Sequence, residues 1–92
     1  MILEILKIEL REMFGADFKP HGVAHPDVLC YENHDDDLYL ELRALPNSQQ
    51  PFRIELWVGK VRGLNQVDLA ATFHELEYTT AIACYIGARF DF

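Results

Sequence analysis

The chain has 92 residues, half of them hydrophobic and a quarter charged, with a formal net charge of −7. That length makes one domain, residues 1–92, with a thin core of about 60–65% of the extended-chain surface buried. The acidic balance argues against direct nucleic-acid binding, which needs clustered Lys and Arg. No apolar run approaches the roughly 18–20 residues of a membrane span.

Met1-Ile2-Leu3-Glu4 has neither a basic lead nor a small-residue cleavage site, so no secretory signal is expected and a cytoplasmic setting is the expectation. Ile2 to Phe14 reads as a helix. Ile2, Leu3, Leu6, Leu10, Met13 and Phe14 share an arc of about 120°, and Gly15 follows as a left-handed stop. Ile5 and Ile8 fall outside the arc and point to a second contact, with the next loop or with another copy of the chain.

Ala16 to Pro26 fits no period and is punctuated by Pro20, Gly22 and Pro26. Three strands follow. Val28 to Glu32 is dense in β-formers. Leu38 to Leu45 alternates Leu38, Leu40 and Leu42 with Tyr39, Glu41 and Arg43. Phe52 to Val61 alternates Phe52, Ile54, Leu56 and Val58 with Arg53, Glu55 and Trp57. Such alternation gives an antiparallel sheet with one covered face and one wet face. Turns over Asn33–Asp37 and Pro46–Gln50 connect the strands. A hairpin centred near residue 48 would oppose like charges, so a shift of two is expected, placing Glu41 against Arg53 or Arg43 against Glu55.

The final element reads as a second helix, from Asn65 to about Arg89. Asn65 serves as N-cap, Asp68 lies near the positive dipole end, and Leu64 and Leu69 form a hydrophobic staple. Gly63 frees the turn, and Gly87 acts as the stop before an Ala88–Phe92 tail. Its polar stripe, Asp68, Thr72, Glu75 and Thr79, is narrow, so the helix is expected to be packed on more than one side. The fold class is therefore α+β in the order α-β-β-β-α. A three-stranded antiparallel sheet carries both helices on its leucine face. Double-stranded-RNA-binding domains share this order, but Asn65-Gln66-Val67-Asp68 opens without Lys or Arg, so the agreement is in layout only.

Candidate chemistry is sparse. Cys30 and Cys84 lack metal or redox spacing and read as two buried thiols, with a disulfide as the alternative. The run Glu32-Asn33-His34-Asp35-Asp36-Asp37 could hold a divalent cation, form a solvated turn, or dock as an acidic knob into a basic groove. His21, His25 and His34 are weak metal candidates. His74-Glu75-Leu76-Glu77 looks like half a metalloprotease helix, with Tyr78 where the second His would stand. There is no nucleophile motif, no phosphate loop and no cofactor signature.

Tyr39 and Trp57 on the outer sheet face, ringed by Glu41, Arg43, Arg53 and Glu55, have the composition of a protein-binding hot spot. The leading expectation is a non-enzymatic acidic protein that binds a partner with a basic surface. Its contacts would be Tyr39, Trp57, Arg43, Glu55, Asp35, Asp36 and Asp37. An inhibitor, immunity protein or phage-type accessory factor, such as an anti-nuclease or anti-CRISPR protein, would fit. The alternatives are a metal-binding protein or metal-dependent enzyme using the loop histidines and acidic turn, and a homo-oligomeric structural subunit.

Overall fold

A computed structural model describes residues 2–20, 27–45, 53–74 and 78–91. The elements are α1 (Ile2–Phe14), β1 (Lys19–Pro20), β2 (Val28–Asn33), β3 (Leu38–Leu45), β4 (Arg53–Lys60), β5 (Gly63–Phe73) and α2 (Tyr78–Arg89). The α+β class holds, but the sheet has five strands in the order β1-β2-β3-β4-β5, each antiparallel to its neighbour, instead of three.

The larger correction concerns residues 63–73, expected to open a helix and found as the longest strand. Two periods compete there. Val67, Leu69, Ala71 and Phe73 alternate with Gln66, Asp68, Ala70 and Thr72, while the capping pattern of Asn65 and Asp68 also suits a helix. Tertiary structure breaks the tie. Val61 and Arg62 form a two-residue reversal closed by the Lys60–Gly63 pair, which delivers the chain directly to the open edge of β4. A ladder of hydrogen bonds is then available at small loop-closure cost, and it outweighs a propensity difference of a few tenths of a kcal/mol per residue. Asn65 is therefore no N-cap, and Leu64 and Leu69, both exposed, form no staple.

The β4–β5 ladder is irregular. Leu56 faces Ala71 and Trp57 faces Leu69, which leaves Ala70 as an extra, bulged residue. The Tyr85 hydroxyl of α2 donates to the Ala70 carbonyl at 3.2 Å, giving that displaced group a partner. Tyr85 also meets Phe73 edge-on at 5.8 Å. A second register shift lies between Val58 and Lys60, where Gly59 faces Val67 so closely that a Cβ would come within 3.0 Å of a Val67 methyl and 3.2 Å of its Cα.

Both helices cover the leucine face. Leu3, Leu6 and Leu10 of α1 and Ile82, Ala83 and Ile86 of α2 close over Leu29, Leu40, Leu42, Ile54 and Leu56. Gly15, with φ 69, ends α1 as expected. Met13, expected in the buried arc, is exposed, as are Ile5 and Ile8. Gly87 is no stop, because α2 continues to Arg89. A Cβ there would lie 3.0 Å from the Phe14 ring, so its role is close approach of α1 to α2. No helix among the described residues is long and apolar enough to cross a membrane.

Candidate partner-binding faces

On the face of the sheet away from the helices, the β3–β4 register places Arg43 opposite Glu55 and Glu41 opposite Trp57. This is one of the two expected shifts, and it removes the like-charge pairs. Tyr39 and Trp57 become diagonal neighbours, since Tyr39 itself faces Gly59.

The side chains on this face form one connected chain of contacts. The Tyr39 hydroxyl lies 3.1 Å from the Cys30 sulfur and donates to Glu41 Oε2 at 2.9 Å. Arg43 Nε donates to Glu41 Oε1 at 2.8 Å, and its guanidinium lies 4.1 Å from the Trp57 ring centre. Trp57 Nε1 donates to Glu55 Oε1 at 3.1 Å, and Arg53 Nη2 pairs with Glu55 Oε2 at 3.5 Å. Two carboxylates and two guanidiniums thus cancel on the spot.

Burial on this face is unexpected for a wet side. Tyr39 is 4% exposed and Glu41 8%. The start of β5 explains part of it, because Leu64, Asn65 and Val67 line an open groove of about 590 Å³ together with Val28, Tyr39, Glu41 and Arg43. Burial pushes the Tyr39 phenol far above its ordinary value, and its hydrogen bonds to Cys30 and Glu41 push the same way. Burial also raises the Cys30 thiol, partly offset by the Tyr39 contact, with the Glu41 charge adding to the rise. Tyr39 is thus a support for Glu41 and not a surface contact, whereas Trp57 and Arg43 remain half-buried.

The acidic turn is built differently. Asn33 pairs with Leu38, leaving a four-residue loop. Asn33 Oδ1 accepts the Asp36 amide at 3.2 Å, while Asn33 Nδ2 donates to Asp36 Oδ2 at 3.0 Å. Asp37 adopts φ 52, a left-handed conformation that Asp tolerates, and its Oδ1 accepts the Arg62 amide at 3.0 Å. That bond ties the β2–β3 turn to the β4–β5 turn. Asp35 and Asp36 are exposed, and Asp36 and Asp37 line an open groove with Lys60 and Asp68.

His34 Nε2 lies 3.0 Å from Glu32 Oε2 and is exposed. His21 and His25 fall outside the described residues, as do Glu75 and Glu77. Among the described residues, no three His, Cys, Asp or Glu side chains converge to hold a metal ion. His74 is exposed and follows β5 directly; it does not stand on a helix. Cys30 and Cys84 are both thiols and are not joined in a disulfide. Cys30 is half-buried and Cys84 is exposed, so the expectation of two buried thiols holds for neither in full.

Sequence reasoning placed Glu41 on the rim of this face but not as the link between Tyr39 and Arg43, and it missed Cys30. The signal was the spacing Tyr39-x-Glu41-x-Arg43, which sets a donor, a carboxylate and a guanidinium in line on one face of a strand. Cys30 enters through the register alone, as the residue paired with Glu41. No protein-family model, no curated protein and no solved structure matches the chain.

Proposed function

We propose that the protein works by binding another protein, whose basic surface meets the acidic β2–β3 turn. One observation carries this reading. Four of the six residues from Glu32 to Asp37 are carboxylates, while Arg43 and Arg53 are engaged with Glu41 and Glu55 on the sheet face. The excess negative charge therefore has an exposed outlet at the turn, on a loop held in shape by its own hydrogen bonds and by the Arg62 amide. A pre-shaped charged loop loses little entropy on docking, and its field raises the encounter rate with a basic partner.

The half-buried Arg43–Trp57 stack supplies the second part of the surface. Trp57 faces Glu41, four residues along β3 from Asp37, roughly 13 Å at the usual strand rise. Trp and Arg are the side chains that most often concentrate binding energy. An inhibitor, immunity protein or phage-type accessory factor that occupies a basic site is the biological form this reading takes.

The experiment is capture of partners from a lysate at low and at high salt, with the wild type beside Asp35→Asn/Asp36→Asn. The expected outcome is a basic partner retained at low salt, lost at high salt and weakened by the double substitution. Capture indifferent to both salt and substitution would remove the electrostatic reading.

A further inference from the structure

α1 turns one side to the core and the other to solvent. Leu3, Leu6 and Leu10 lie in the core. Ile5 and Ile8, on the opposite side, are 56% and 59% exposed. At 3.6 residues per turn the two isoleucines stand within about 60° of each other, and Glu12 continues their line one turn on. Glu4 and Arg11, both exposed, lie about two turns apart along one flank of that line. Large apolar side chains in a row, with charges along the edge, are the pattern by which one helix meets another.

Charge and spacing select the occupant. The flank carries an anion near the start of the helix and a cation near its end, so it complements itself when a second helix runs the opposite way. With a two-fold axis between Lys7 and Ile8, Glu4 comes level with Arg11 of the second copy, and Arg11 with its Glu4. The same axis sets Ile8 beside Ile8. It brings Glu12 level with Leu3 of the second copy, at a helix start whose dipole favours an anion. A parallel pair would oppose Glu4 to Glu4 and Arg11 to Arg11, with the helix dipoles aligned. The formal charge of −7 on each chain acts over a longer range and is screened beyond about 8 Å at about 0.15 M salt, whereas the paired groups touch.

We infer that a second copy of the chain docks on this side of α1, antiparallel, with Ile5 and Ile8 in the seam and two Glu4–Arg11 pairs beside it. The helix is about 20 Å long, so the contact is small and the dimer is a weak, exchanging one.

The test is the mass of the full chain by light scattering across a dilution series, with circular dichroism verifying that each variant folds. The wild-type mass is expected to rise from the 10.7 kDa of one chain towards twice that value as concentration increases. Ile8→Lys is expected to hold the single-chain mass throughout. Glu4→Arg and Arg11→Glu each turn both cross-pairs repulsive, and each is expected to raise the dissociation constant about tenfold. Glu4→Arg also makes the chain less acidic, so its weakening does not come from overall charge. An equimolar mixture of these two variants restores both pairs and is expected to regain the wild-type dimer, a result that changes within a single helix do not imitate. A wild type that is monomeric at every concentration overturns the inference. So does a dimer that Ile8→Lys leaves intact, and so does a mixture no more associated than its two components.

Discussion

The outer sheet face and the β2–β3 turn both carry clusters of charge, yet they put it to opposite use. On the sheet face, Glu41 and Glu55 are matched by Arg43 and Arg53, and the set is joined from Cys30 to Glu55 by hydrogen bonds and the stacking of Arg43 on Trp57. On the turn, Asp35 and Asp36 face solvent with one asparagine for company. The first arrangement spends its charges on structure, where a half-desolvated carboxylate must have partners. The second leaves them for the field outside the protein, where they cost little and attract. Counting acidic residues along the chain does not distinguish these uses. Strand pairing does, because it decides which carboxylate meets a guanidinium.

The comparison breaks most readily at Glu41. Glu41→Ala strands the Tyr39 hydroxyl and one side of Arg43 in a half-dry site, and is expected to cost about 2–3 kcal/mol by urea denaturation. An unchanged midpoint would mean the network contributes nothing to folding. Gly59→Ala is expected to cost about 1–2 kcal/mol, because the new methyl must displace Val67, the β5 residue lining the groove beside Tyr39. Stability equal to wild type would show that β5 yields there freely.

Alkaline titration sharpens the contrast further. Cys30 and Tyr39 both have pKa values raised by folding, so the neutral forms are favoured in the native state. Their stabilising contribution is complete below the unfolded values, roughly pH 8.5 for a thiol and 10 for a phenol. It is lost as pH rises through the folded values. Stability is therefore expected to decline above about pH 8.5, and Cys30→Ser to remove the earlier part of that decline. The turn behaves oppositely. Asp35→Asn/Asp36→Asn is expected to change stability by less than about 0.5 kcal/mol in denaturant melts, since both side chains are exposed and Asn keeps an acceptor oxygen for Asn33. A larger loss would make the acidic turn structural.

Much of this was legible in the sequence, for local reasons. The apolar arc of α1 and its Gly15 stop, the in-and-out leucines of β3 and the Arg43–Glu55 pairing follow from residue spacing and from avoidance of like charges. Those signals involve neighbours along the chain or across one hairpin. Gly87 shows where such reasoning fails, because a glycine that reads as a helix stop is required instead by the Phe14 ring of a distant element.

Residues 63–73 were decided by tertiary structure. Their apolar alternation was present in the sequence, but an asparagine cap and a short polar stripe pointed equally to a helix. What settled the matter was a two-residue reversal at Val61-Arg62 and the unpaired edge of β4 beside it. A hydrogen-bonding edge is a property of the assembled sheet and has no representation in the segment that joins it. The burial of Tyr39 and Glu41 has the same origin. Their side chains were correctly assigned to the outer face, and the register of β2 with the course of β5 then closed over them. The sequence by itself determined which residues share a face; the tertiary structure determined which of those faces still meets water.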